Sequence, residues 1–196
     1  MSDNDQRGKR PARKVWHRPP VEERADQVRA WNEQPVGELR NPALRALAAT
    51  WERAAADEGL RPPSRAAYSP TDVVETLSRT TLLERVDRAA EPEHAGPEHV
   101  EPGHTWRYRL VGTEIVSLVQ ADVTGQTIGR YHPPLAEMLQ AQFDATAAAG
   151  VPKAFAVRTI VDHRHYAYEK IVLPLRSSPD ADIDQIVVAS SPLDAD

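Results

Sequence analysis

Apolar residues recur at helical spacing in two long segments of the chain. The first segment, residues 42–58, has a stripe of Leu44, Leu47, Ala48, Trp51 and Ala55. The second, residues 134–149, has a stripe of Leu135, Met138, Leu139, Gln142, Phe143 and Thr146. This spacing predicts two amphipathic helices. Asn41 and Gly59 suit the two ends of the first helix, and Gly150 followed by Pro152 suits the end of the second.

Runs of β-branched or alternating residues predict strands on both sides of the second helix. Two runs precede it, residues 80–87 and 105–112, and three follow it, residues 153–161, 165–175 and 184–190. Short helices are predicted over 70–77 and 113–119. Since strands bracket a helical middle, the pattern predicts an α+β fold with a five-stranded, mostly antiparallel sheet.

Five short phrases in the chain carry a family resemblance. They are PPSRAAYSPTDV, YRLVGTEIV, DVTGQTI, AAGVP and YEKIVLPL, in this order. Together with the element order they resemble the short stand-alone bacterial PAS-like family. The resemblance implies a PAS-like domain over residues 80–190 with helices on one face of the sheet, preceded by flanking helices over 41–79. It also places Arg109 and Glu169 on facing strands, where they could pair.

Two segments fall outside this resemblance. The first 20 residues hold six basic side chains and three of the 17 prolines, a composition that cannot bury enough surface to order itself. Residues 1–40 are therefore predicted to be a largely flexible basic tail, with one short helix suggested by Val21, Ala25, Val28 and Trp31. Residues 89–104 form an acidic loop insertion rich in His and Pro, and residues 191–196 form a C-terminal tail.

Composition limits the partners, the cysteine-dependent chemistry and the cellular compartment that can be expected for the chain. A net charge of -5 weighs against nucleic acid as the main partner of the whole chain. With no cysteine, the chain cannot use thiolate zinc ligands or the flavin chemistry that needs a thiol. It has neither an apolar run of membrane-spanning length nor a signal-like apolar stretch after its basic start, so we expect no membrane partner and a cytoplasmic protein.

The histidines and glycines give no specific catalytic or cofactor signature. His94, His99 and His104 recur every five residues, which fits no regular face, so a solvated loop is favoured over a metal site. His132 lies near the long helix, but the two prolines after it support a haem ligand poorly. Neither a GxSxG motif nor a phosphate-binding glycine loop is present, and a non-enzymatic protein is expected.

Aromatic and aliphatic residues are predicted to meet between the sheet and the long helix. They are Trp106, Tyr108, Leu139, Phe143, Phe155 and Tyr168. Ordinary core is the favoured interpretation. The alternative is a pocket for a small apolar ligand, in which the Tyr hydroxyls and the Trp N–H would orient the ligand.

The leading functional hypothesis is a sensory or protein–protein interaction module that passes its output to a separate signalling protein. Leu44, Leu47 and Trp51 of the flanking helix are candidates for a homodimer interface, since PAS domains often dimerise through such a helix. One alternative is a nucleic-acid-associated regulator that uses the basic residues 7–18 for phosphate contacts. Another is a sensor that holds a small ligand or cofactor of unknown identity.

Overall fold

The computed structural model describes residues 28–88, 103–119, 121–131, 133–161 and 164–193. In these residues the chain is α+β, with one antiparallel sheet in the strand order β1-β4-β5-β6-β2-β3. The strands are β1 (Val28–Gln34), β2 (Thr80–Asp87), β3 (His104–Val111), β4 (Lys153–Val161), β5 (Arg164–Arg176) and β6 (Ile183–Pro192). The α-helices are α1 (Pro42–Glu58), α2 (Thr113–Val119) and α3 (Pro133–Ala149), and a 3₁₀ helix spans Pro70–Arg79.

Local sequence signals set the ends of the two long helices, as predicted. The Asn41 side chain accepts hydrogen bonds from the backbone N–H groups of Ala43 and Leu44 at the start of α1. Gly59 ends α1 with φ +67°, a left-handed conformation that glycine adopts without a steric penalty. Gly150 ends α3 in the same way, with φ +64°.

The sheet has six strands, so the prediction of five was wrong. The additional strand is β1, in a segment that was assigned to the tail and interpreted as a possible short helix. β1 lies at the sheet edge and pairs with β4 alone, with Trp31 opposite Val157. The Trp31 ring packs edge-on against Phe155, with 6.3 Å between ring centroids. Tertiary pairing therefore overrides the helical spacing of the apolar residues. Residues 1–27 lie outside the described residues.

Helices cover both faces of the sheet, with α3 on one face and the flanking helix α1 on the other. Successive side chains of a strand point to opposite faces. On β5, Ile171, Leu173 and Leu175 therefore join the core beneath α1, whereas Val172 joins the core beneath α3. The two surfaces are called the α1 face and the α3 face below.

The proposed dimer-interface residues belong to the intramolecular core. Leu44, Leu47 and Trp51 are fully buried against the α1 face. The Trp51 indole also donates a 2.7 Å hydrogen bond to the carbonyl oxygen of Pro174 on β5. These side chains are not available to a second copy, and the flanking helix is an integral layer of the fold.

The buried carboxylate of Glu169 fixes the entry to α1. It lies on the α1 face, is 1% exposed, and accepts hydrogen bonds of 2.8 to 3.0 Å from the backbone N–H groups of Arg40 and Asn41. The expected pairing of Glu169 with Arg109 was wrong, because Arg109 instead binds Glu84 at 2.9 Å. The phrase YEKIVLPL thus contributes a carboxylate that holds a helix end.

The glycine of YRLVGTEIV is required by a close backbone approach. At the corner between β3 and α2, a Cβ on Gly112 would lie 2.3 Å from the carbonyl oxygen of Ser78. Gly112 also donates its backbone N–H to Thr80 at the start of β2. This close approach leaves no room for a side chain at the corner.

Candidate functional site: a cavity on the α3 face

A cavity of about 720 Å³ lies on the α3 face of the sheet. It reaches across the sheet from Trp31 on β1 to Tyr108 on β3. Residues of α2 and α3 line the side of the cavity opposite the sheet. Small-molecule sites are typically concave, mostly apolar and about 300 to 1,000 Å³ in volume. This cavity has the size and lining of such a site.

The alternation of side chains along β5 and β6 places polar groups in an otherwise apolar wall. Tyr168 and Lys170 are two residues apart on β5, and both line the cavity. Val188 and Ser190 line it from β6, where Ser190 lies directly opposite Lys170 in the strand register. Leu139 and Phe143, one helical turn apart on α3, contribute apolar surface across from the sheet.

Three tyrosines gather in the cavity wall. Tyr108 and Tyr131 meet edge-on, with 6.5 Å between ring centroids, and Tyr168 also lines the space. Burial, and next the neighbouring Tyr131, raises the pKa of Tyr108 well above its ordinary value. Burial followed by the same neighbour raises the pKa of Tyr168 to about 12. The hydroxyls of Tyr108 and Tyr168 therefore stay neutral at physiological pH and can both donate and accept hydrogen bonds.

Lys170 is the buried basic group of the cavity. It is 4% exposed, and its Nζ donates a 2.5 Å hydrogen bond to Oε1 of Gln142 on α3. The same Nζ lies 3.6 Å from the centroid of the Trp31 ring. Burial holds the pKa of Lys170 well below its ordinary value, since desolvation disfavours the charged form.

The one carboxylate among the described lining residues is already engaged elsewhere. Glu114 on α2 accepts a 2.6 Å hydrogen bond from the Ser78 hydroxyl and an ion-pair contact from Arg79. It therefore balances the guanidinium of Arg79. The described part of the wall shows no second carboxylate that could balance Lys170.

The structure brings four of the six predicted pocket residues to the cavity, namely Tyr108, Leu139, Phe143 and Tyr168. Trp106 and Phe155 are not part of the wall and lie in the surrounding core. The aromatic set is thus partly core and partly pocket.

Sequence reasoning missed Lys170, Trp31 and Tyr131 as lining residues. The first could have been found, because Tyr168 was predicted to point inward and strand alternation then turns Lys170 inward too. Trp31 was missed because its segment was not interpreted as a strand. Tyr131 lies in the connection before α3, which has no periodic pattern.

Of the three candidate metal ligands, His104 is the one that lies within the described residues. His104 Nε2 lies 2.8 Å from Asp144 Oδ1, and the Trp106 indole donates to the same oxygen at 2.9 Å. Burial alone would raise the pKa of Asp144, but hydrogen bonds from Gln140, His104 and Trp106 hold it below its ordinary value. This cluster ties β3 to α3.

His94, His99 and His132 lie outside the described residues, as does the basic segment 7–18. In the ranges that the structure does describe, no group of three His, Cys, Asp or Glu side chains is arranged to hold a metal ion. The same ranges contain no helix that is long and apolar enough to cross a membrane.

No family model, curated protein or solved structure matches the chain. The cavity itself is therefore the main indication of function. A mainly apolar space with neutral phenols and one buried amine can bind and orient a small amphipathic molecule.

Proposed function

We propose that the chain is a PAS-like sensory module that binds a small, largely apolar molecule in the cavity and passes the signal to a separate protein. The observation that carries the proposal is the cavity of about 720 Å³, with its tyrosines and Lys170. The order of elements supports the PAS-like part of the proposal. Two strands, short helices, a long helix and three strands follow one another, and the strands belong to one antiparallel sheet. In this proposal binding itself is the activity, with no chemical step.

Helix α2 provides a route from the cavity to the surface. Leu118 both lines the cavity and is 45% exposed, so one side chain meets the ligand space and the solvent. The contact of Glu114 with Arg79 and Ser78 fastens α2 to the 3₁₀ helix before β2. A molecule that contacts Ile115 and Leu118 would therefore change the order or position of an exposed helix, which a partner can detect.

A pair of neighbouring valines on β6 tests this proposal. Val188 lines the cavity, whereas Val187 is buried in the core of the α1 face. Val188→Phe places the larger ring in the cavity, so we expect a change in stability below about 1 kcal/mol. Val187→Phe overpacks a filled core and should cost about 1 to 3 kcal/mol.

The readout that bears on function is native mass spectrometry of freshly purified full-length protein. We expect a bound small molecule in the original protein and in Val187→Phe, and its loss in Val188→Phe. If all three proteins carry no small molecule, and Val188→Phe destabilises the fold as much as Val187→Phe, the cavity is not a ligand site and the proposal is wrong.

A further inference from the structure

Unpartnered hydrogen-bond donors surround the buried amine of Lys170. The structure gives its Nζ one acceptor, Gln142 Oε1, although an ammonium group carries three N–H bonds. The indole Nε1–H of Trp31 and the amide Nε2 of Gln142 are buried and have no acceptor in the part of the chain that the structure describes. A buried donor without a partner costs free energy, and native proteins leave few of them. The three neighbouring residues therefore present more donors than acceptors.

Aromatic rings surround the same amine. Its Nζ lies 3.6 Å from the ring centroid of Trp31, and 5.9 and 5.5 Å from those of Phe143 and Phe155. Aromatic faces stabilise a cation in such positions, but they do not neutralise it. Glu114 is the one carboxylate among the described lining residues, and it is engaged by Arg79 and Ser78. An acidic ligand would therefore supply the charge that favours the protonated form of Lys170.

Lys170 is the cationic group of the wall that has no carboxylate partner among the described residues, since Arg79 is paired with Glu114. Together with the excess of donors and the apolar wall, it specifies a ligand class. We infer that the cavity binds a carboxylic acid with an apolar body, whose carboxylate accepts hydrogen bonds from Lys170 and from the Trp31 indole. This inference rests on the proposed function and names its ligand. The apolar body would fill the space lined by Leu139, Val188 and Ile115.

Other ligand classes fit the wall less well. A phosphate ester carries more charge than the Lys170 amine can balance, since Arg79, the other cation of the wall, is paired with Glu114. A neutral alcohol or ketone can accept hydrogen bonds but brings no charge to balance a protonated Lys170. A carboxylate offers two acceptor oxygens and a single negative charge, which matches the available donors.

Dodecanoate and 1-dodecanol are matched probes for this inference, because they share one alkyl chain and differ in the head group. We expect the full-length protein, stripped of co-purified molecules, to bind dodecanoate at least about tenfold more tightly than 1-dodecanol by isothermal titration calorimetry. Lys170→Met should remove this preference and leave dodecanol binding within about threefold.

Lys153→Met is the matched control. Lys153 lies on β4 and pairs with the exposed Glu33, and it is not among the residues that line the cavity. The control removes the same charge from the chain. It should retain the preference for dodecanoate, which separates a local contact from a general change in net charge.

A second pair of variants keeps the test informative if Lys170→Met fails to fold. Trp31→Phe keeps an aromatic ring near Lys170 but removes the indole N–H, so we expect dodecanoate binding to weaken about three- to tenfold without an effect on dodecanol. Gln142→Glu supplies a carboxylate to Lys170 from within the chain. It should abolish the preference for dodecanoate through charge repulsion.

The possible outcomes separate the two proposals. If both probes bind equally and Lys170→Met changes neither, the carboxylate inference is overturned while the cavity still qualifies as a ligand site. If neither probe binds, the inference is also overturned, and the Val188→Phe comparison by native mass spectrometry decides independently whether the cavity holds another molecule.

Discussion

The two faces of the sheet differ in how completely they are filled. On the α1 face, Leu44, Leu47 and Trp51 pack onto Leu173 and its neighbours with no exposed surface. On the α3 face, the same strands border a cavity of about 720 Å³. The alternation of side chains along each strand allows one sheet to have one face with a filled core and another face that borders a cavity.

Two adjacent residues of β5 show the same difference. Glu169 points to the α1 face, where backbone N–H groups of Arg40 and Asn41 satisfy its carboxylate. Lys170 points to the α3 face, where its amine has one acceptor. Both side chains are buried, so burial alone does not distinguish a structural charge from a candidate binding group. The number of satisfied hydrogen bonds does.

The largest expected loss of stability comes from removal of a buried side chain from the core of the α1 face. Trp51→Ala removes a fully buried ring and its hydrogen bond to Pro174, so we expect the free energy of unfolding to fall by about 3 to 5 kcal/mol in urea denaturation. Leu47→Asp should unfold the protein globally. Val74→Ala, at a position that is 71% exposed, is the control and should change stability by less than about 0.5 kcal/mol. If Leu47→Asp is instead a folded monomer, Leu47 does not belong to the intramolecular core and the dimer-interface interpretation is correct.

The next largest effect is expected at Glu169. Glu169→Gln keeps the size of the side chain but removes the charge and turns an amide donor toward backbone donors, which should cost about 1 to 3 kcal/mol. Glu52→Gln changes an exposed carboxylate that pairs with Arg61, and should cost less than about 1 kcal/mol. Equal losses for the two variants in urea denaturation would contradict the structural role of Glu169.

Removal of the Lys170 amine should leave the stability of the ligand-free protein unchanged or increase it, in contrast to the losses expected for Trp51→Ala and Glu169→Gln. Lys170→Met replaces a desolvated amine with an apolar side chain of similar length, so we expect the free energy of unfolding to stay the same or rise by up to about 2 kcal/mol. Lys153→Met again serves as the control, with a small loss of less than about 1 kcal/mol. A marked loss of stability in Lys170→Met would show that the amine has a structural role like that of Glu169.

The smallest effect is a change in the pH dependence of stability. Since the pKa of Lys170 is lowered in the fold, the unfolded chain binds more protons between that pKa and its ordinary value, about 10.4. Lys170 therefore makes stability increase with pH in this window. The raised pKa values of Tyr108 and Tyr168 oppose this only above about pH 10, the ordinary pKa of tyrosine.

Urea denaturation midpoints at about pH 7 and about pH 9 measure this change. Lys170→Met should show a smaller rise between the two pH values than the original protein. Lys153→Met should show an unchanged rise. An identical rise in Lys170→Met would mean that the amine is not desolvated in solution.

The sequence by itself determined the elements whose signals are local. Asn41, Gly59 and Gly150 mark helix ends through caps and left-handed turns, and the bounds of α1, β2 and β4 agree with the predictions. These signals succeed because each depends on hydrogen bonds or backbone conformations within a few residues. The α+β class follows from the order of these elements.

Only the tertiary structure decided the sixth strand, the covering of both sheet faces and the cavity. Trp31 becomes part of a strand because β4 offers it a partner more than a hundred residues away, which periodicity over a short window cannot detect. Whether aromatic residues fill a space or line one depends on the distance between layers, so Trp106 lies in the core and Tyr108 in the wall. Strand alternation turns Lys170 inward beside Tyr168, but only the fold shows that it is buried with no carboxylate partner among the described residues.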